Sequence, residues 1–367
     1  MTNQNSQNIS KIKISRFIRP VISTLIILYL FYRIYTVVFI ESSFTPDIWV
    51  RFAISGLIIG GMYALIAIGY TLVYGIMFMI NFAHGEVMML GAFGGFFIFE
   101  LFKSIPTPTA ADPTLTLNNS HPYLTIVLAF AVGILVSGLA GYFLEKIAYR
   151  PLRKAPRLIL LITAIGASIF LQNLAMLMFG PQRKNVVNPE ILNRSNGWEF
   201  LVSGKSVFLT YTGVFSLILS AVLMILLYLL VQRTKLGRSM RAVAQDQNTA
   251  ALMGVDVDDV ISKTFIISGI LAGAAGVMWD IHMGLVNHYT GFLPGIKAFT
   301  AAVMGGIGNI PGAMFGGIFL GLIESLGPAS LGIDFQLKDV IAFSILVLVL
   351  IIRPSGIFGE KLSEEKL

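Results

Sequence analysis

The run INFAHGE at residues 80–86 brings together a carboxamide (Asn81), an imidazole (His84) and a carboxylate (Glu86), with the ring of Phe82 among them. Apolar sequence flanks the run from about residue 48 to 102, so these groups fall in a hydrophobic hairpin, where polar atoms are costly unless they find partners or water. Two placements satisfy them. They line a polar route beside a kinked membrane segment, or they cap a short cytoplasmic turn in which Asn81 and His84 tie up loose backbone ends. A second unusual stretch is GGIGNIPG at 305–312. Gly305, Gly306, Gly308 and Pro311 interrupt a helix there, and the bare backbone around Asn309 can approach a neighbour or a passing solute.

Other groups with chemical potential carry less. Asp280, His282, Asn287 and His288 suggest a metal site, but the two histidines are six apart across Gly284, where a helical pair would be four apart. They fit the lining of an external mouth better. The GKS at 204–206 lacks the first glycine of a phosphate-binding loop, since Glu199 stands in its place. With no cysteine in the chain and no nucleophile–base set in the apolar runs, the sequence assigns no catalytic residue, no metal and no cofactor.

The elements that must position these residues are membrane helices. Of 367 residues, 56% are hydrophobic and only 12% charged, about half the charged share of a soluble domain. The net charge of +7 sits in short blocks between apolar runs rather than on one face, a topology signal that gives no reason to invoke nucleic acid. Apolar runs near the ~20-residue span length occur at 48–73, 87–102, 123–144, 158–179, 207–231, 261–283 and 340–352. A first segment at 21–40, preceded by Lys11, Lys13, Arg16 and Arg19, makes eight. It is longer than a signal-peptide core and no small-residue cleavage site follows, so it reads as a retained span, with Arg33 snorkelling. The stretch 296–326, broken at 305–312, reads as a re-entrant pair with neither half long enough to cross alone. The runs lack the alternation of barrel strands, so the expected fold is an all-α polytopic bundle of about eight spans plus the broken segment. Gly56–Phe99 and Gly269–Leu322 are each a Gly-rich helix followed by a broken one, which suits two repeats.

Basic residues gather at 146–157 and 233–263, which orients both loops to the cytoplasm with the N-terminus. The intervening loops 103–122, 181–206 and 284–295 fall outside. The resulting division is a cytoplasmic tail 1–16, an additional N-terminal helix 17–40, a transmembrane domain 41–358 and a cytoplasmic tail 359–367. Within the second basic loop, 239–253 reads as one cytoplasmic helix stopped by Gly254. Its small residues, Ala242, Ala250 and Ala251, permit close approach to a partner groove. Arg241, Asp246 and Asn248 share the segment. The competing placement is flat on anionic lipid.

Several motifs in one order make the chain resemble the LivH-type permeases of bacterial branched-chain amino acid ABC importers. They are YALIAIGYTLVYG at 63–75, NFAHGE at 81–86, AYRPLR at 148–153, SIFLQN at 168–173 and KAFTAAVMGGIGNIPGAM at 297–314. The match covers roughly 52–358. The resemblance implies an inner-membrane, multi-pass subunit acting with a second permease of the same family, two cytoplasmic ATP-binding subunits and a periplasmic or extracellular solute-binding protein. It also implies membrane lipid as surroundings, Leu, Ile or Val as cargo, and ATP hydrolysis by other subunits, consistent with the missing phosphate-binding loop. The nearest register to the importer EAA-x-x-x-G motif is Asn248-Thr249-Ala250 with Gly254, and the glutamate is absent. The segment 17–40 is a departure from shorter family members. Urea or short amides are alternative cargoes, and a self-sufficient secondary transporter is the alternative class.

Overall fold

The computed structural model describes residues 24–25, 28–41, 44–108, 114–153 and 155–359. Among them eight helices are long and apolar enough to cross a membrane. After a short helix α1 (Leu28–Ile40) come α2 (Pro46–Met77), α3 (His84–Ser104), α4 (Pro122–Phe143) and α5 (Arg157–Phe179). They are followed by α6 (Tyr211–Arg233), the short α7 (Lys235–Gln245) and α8 (Gln247–Leu252), and α9 (Val257–Met283). The short α10 (Phe292–Gly305), α11 (Ile310–Leu331) and α12 (Lys338–Ile352) close the bundle.

The all-α expectation holds for the spans. Helix α2 is apolar all round and buried along most of its length, as a central helix must be. It packs on α11 so closely that a Cβ at Gly60 would lie 2.8 Å from the Ile318 Cα. Small residues allow this approach where lipid supplies no hydrophobic drive between helices. Helices α3, α4 and α9 pack together beside them, whereas α5, α6 and α12 keep outward faces of Ile162, Phe170, Leu177, Ile225 and Val347 exposed to the bilayer. Beyond Phe143, α4 continues as a π-helical turn, Leu144–Tyr149, that turns Glu145 and Tyr149 inward.

Several boundaries differ from the sequence reading. Helix α11 has 22 residues, about 33 Å at 1.5 Å per residue, so the second half of the broken stretch is long enough to cross. The break lies early in the stretch: Asn309 caps the new helix by accepting from the Gly312 amide at 3.1 Å, Pro311 fits its first turn, and the helix runs on to Leu331. Only α10, at 14 residues, is too short. The eight spans therefore include α11. The segment expected as an extra span over 17–40 is described only in part. Its helix α1 is too short to count as a span by itself, and Arg33 pairs with Glu41 at 2.8 Å. The expected tail 1–16 lies outside the described residues, as does 360–367.

The expected span 207–231 begins late. Its first residues belong to a β-hairpin, β1 (Gly197–Val202) and β2 (Lys205–Thr210), joined through Ser203 and Gly204, both at positive φ. The loop helix is also not continuous. Asp246 is extended (φ −156°, ψ 114°) and caps α8 by accepting from the Asn248 and Thr249 amides, which divides the expected 239–253 helix into α7 and α8. Gly254 does adopt the left-handed conformation that ends it.

Orientation follows from the basic loops. In this naturally cysteine-free chain, Glu199→Cys on the hairpin should react with an impermeant thiol reagent only from outside. Lys235→Cys should react only from inside. Labelling of Glu199→Cys from the cytoplasmic side would invert the topology.

Candidate translocation and coupling site

The polar run begins where α2 ends. Phe78 takes a left-handed conformation (φ 50°, ψ 31°) after Met77, and the chain then folds back along α2. The His84 ring consequently lies against Gly69, where a Cβ would have no room. Gly69 is roughly 12 Å up the axis from Met77. Ser268, close to the middle of α9, donates to the Gly69 carbonyl at 3.2 Å and meets His84 Nδ1 at 3.3 Å. Helix α3 therefore starts inside the bundle rather than at its cytoplasmic surface. Asn81, His84 and Glu86 are at most 3% exposed.

Each member of the run is held by a different helix. Tyr149, from the π turn after α4, donates to Asn81 Oδ1 at 2.6 Å. Gln172 and Ser168, one turn apart on α5, donate to Glu86 Oε1 at 2.7 and 3.3 Å. The Phe82 ring meets Phe299 of α10 at 5.5 Å, and Tyr70 packs edge-on against His84 at 4.8 Å. Five helices thus converge on six residues of chain. Tyr149, Ser168 and Gln172 lie in motifs visible in the sequence. Their partnership with 81–86 spans more than sixty residues in each case and left no local signal.

Helix α10 also starts within the bundle. Its cap Gly291 and first-turn Gly295 press on Gly85, where a Cβ would lie 3.1 Å from the Gly295 Cα. Two units, α2–α3 and α9–α10, thus share one plan: a long helix followed by one that begins at depth, as in transporters built from repeats.

The structure does not bring the second glycine run to this junction. Gly305, Gly306, Gly308 and Asn309 lie at the other end of α10, with Gly306 and Gly308 at positive φ. The C-terminal segment covers them. Ile357 and Phe358 donate their amides to the Met304 and Gly305 carbonyls, both at 2.9 Å, and Asn309 Nδ2 donates to the Phe358 carbonyl at 3.0 Å.

In the second basic loop, Ala250 is 4% exposed and packs into its own chain. The neighbouring Leu252 and Met253 are 88% and 81% exposed. Arg241 bonds back to the Val231 carbonyl at the end of α6, and the Asn248 amide is taken by Asp246 at 2.8 Å. Gln247, which the sequence reading did not single out, donates to the Ile76 carbonyl at 2.9 Å, one residue before α2 ends. Alongside, Arg150 and Arg153 pair with Asp258 at the start of α9, Arg153 also reaches Glu145, and Ser262 donates to Glu145 Oε2 at 2.7 Å.

Residues 52–350 match the family described as the branched-chain amino acid transport system / permease component. The chain belongs to this family. It is 44% identical over 310 residues to the high-affinity branched-chain amino acid transport system permease protein BraD of Pseudomonas aeruginosa, covering 83% of this chain and 94% of the relative. Identity to the corresponding LivH protein of Escherichia coli K12 is 41% over 308 residues, with the same coverage. A fructose import permease of Rhizobium meliloti is 33% identical, but over only 36% of this chain. No solved structure matches. Family and spans together make this a multi-pass permease of the inner membrane.

The clasp on Glu86 yields a test. A Gln172→Leu permease keeps a buried carboxylate but loses its nearest donor, a loss worth about 1–3 kcal/mol. Its unfolding temperature in detergent should fall. A Gln172→Leu/Glu86→Leu double variant should recover part of the loss, whereas an unchanged midpoint for the single variant would show that Glu86 is not held this way.

Proposed function

We propose that the chain is a transmembrane subunit of an ATP-driven importer that carries leucine, isoleucine or valine inward. One observation supports this above the rest: the relatives named for branched-chain amino acid transport match over 83% of the chain, while those named for sugars match over about a third or less. The site suits such a solute. An apolar bundle accommodates an aliphatic side chain, and the few polar groups at 81–86 are the ones available at depth for its charged ends.

The reading gives each part a role. Asn81, Phe82, His84 and Glu86 line the route, and the junction of α3 and α10 at Gly85, Gly291 and Gly295 closes it. The turn at Gly305, Gly306, Gly308 and Asn309 is the inner end of the hairpin that α10 makes with α11. The segment holding Arg241, Asp246, Asn248, Ala250, Ala251 and Gly254 meets the ATP-binding subunits, with Leu252 and Met253 as its apolar tip. From there force passes through Gln247 to the end of α2, and so to the turn that carries Asn81. A second permease, two ATP-binding subunits and an external solute-binding protein complete the assembly.

Vesicles holding the chain with a second permease and two ATP-binding subunits should accumulate labelled leucine on adding ATP and the binding protein. Uptake of urea or a short amide in place of branched-chain amino acids would overturn the cargo assignment. Leu252→Glu/Met253→Glu should cut recovery of the ATP-binding subunits in pull-downs about tenfold or more, a loss on the scale of a few buried anchors. Undiminished recovery would place this tip on lipid instead.

A further inference from the structure

One group of charges lies within the spans and away from the polar run. Lys297, on the second turn of α10, is 3% exposed and Glu324 of α11 is 4% exposed. Lys297 Nζ donates to Glu324 Oε1 at 2.7 Å and lies 2.7 Å from Asp339 Oδ1 on α12. Lys338 approaches the same Glu324 Oε1 at 3.3 Å. Two cations and two anions are thus joined by three ion pairs, and Lys297 and Glu324 each have two partners. Glu324 sits roughly 10 Å below the outer end of α11. Among the described residues Lys297 is the only buried lysine or arginine.

Lys297 is equally near both anions, donating to Glu324 Oε1 at 2.7 Å and lying 2.7 Å from Asp339 Oδ1. The buried Tyr63 side chain also faces Glu324 and Lys297. The set therefore offers Lys297 two anionic partners at once. It can pass from Lys297–Glu324 with Asp339 nearby to Lys297–Asp339 with Lys338–Glu324 and leave no charge uncompensated in lipid, where an unpaired one is expensive. The buried cation, Lys297, belongs to α10, the short helix whose first turn presses on Gly85. The anions belong to α11 and α12.

We infer that Lys297 is a positioning residue for transport: by exchanging partners between Glu324 and Asp339 it lets α10 shift against α11 and α12 while its charge stays paired. The inference rests on the transport reading, because the shift it permits is the one that would part Gly291 and Gly295 from Gly85. A static pair would serve only to hold three helices together. Apolar residues of similar volume replace such a pair with little or no loss of stability.

The complete complex is tested in vesicles with labelled leucine, and its helix separation is followed by spin labels on Leu293→Cys and Val340→Cys, both exposed positions. With wild-type charges, two separations should appear whose populations change with ATP. Lys297→Met/Glu324→Leu should reach the membrane at the normal level, show one separation, and lower maximal uptake at least about fivefold, within the range of coupling mutations, with half-saturation unchanged. Asp339→Asn, at a half-exposed site that does not endanger folding, should do the same to a lesser degree. Lys297→Arg should retain most of the uptake. Wild-type uptake and wild-type separations in both Asp339→Asn and the double variant would overturn the inference. Should the double variant fail to insert, Asp339→Asn alone decides, and a loss explained by its membrane level alone would also count against exchange. Failure of the unsubstituted chain to take up leucine would refute the cargo reading, and the spin-label separations would still decide the role of Lys297.

Discussion

Three polar side chains must be satisfied in a bundle with little water to offer them. Asn81, His84 and Glu86 lie where an unmet donor or acceptor costs about as much as a point mutation that unfolds a marginal protein. The structure meets part of the cost by recruiting a donor or a contact from a separate helix for each, namely Tyr149, Ser268, and the Gln172–Ser168 pair, while His84 Nε2 and Glu86 Oε2 have no hydrogen-bond partner among the described residues. That requirement explains why peripheral α5 carries its two buried polar residues, Ser168 and Gln172, one turn apart on the face toward α3. It also explains why α4 unwinds into a π turn that brings Tyr149 inward. Such irregular turns recur at functional sites.

Depth is the second consequence. Because residues 78–83 run back along α2, α3 begins beside Gly69, and α10 begins against Gly85 from the opposite direction. Broken helices of this kind are tolerated only where protein covers the loose backbone. The contact at Gly85, Gly291 and Gly295 is packed shut, so passage through it requires movement of a helix. The two ends of α10 are held differently, by ion pairs near its start and by the C-terminal segment at its end. Cytoplasmic helices bonded to the last turn of α2 through Gln247 reach the same junction from below.

Much of this was legible in the sequence, and the failures have physical causes. Hydropathy located seven of the eight spans, since that signal is local and strong. The span at α11 was missed because a Gly–Pro break was weighed as a midpoint, although Asn309 and Pro311 are themselves helix-starting residues. The hairpin had a signal in alternating Trp198, Phe200 and Val202 followed by Ser203-Gly204, masked by its apolarity next to α6. Asp246 was read as one polar residue in a helix, yet an aspartate followed by Asn248 and Thr249 amides is a cap. The composition of the loop did not say which way Ala250 faced; burial placed it inward and left Leu252 and Met253 outside. The run at 81–86 was recognisable as costly, but not its depth or partners, because those depend on contacts between distant segments.

The central claim is that the buried run beside α10 lies on the transport route and changes exposure during the cycle. Phe82 is the member of that run with part of its surface open, and Phe82→Cys would introduce the only thiol in the chain. The direct measurement is its rate of reaction with a small impermeant thiol reagent, applied from each side of the complete complex, with and without ATP. The account predicts that reaction from one side slows and reaction from the other speeds when ATP is bound. Equal rates in both conditions, from either side, would contradict it.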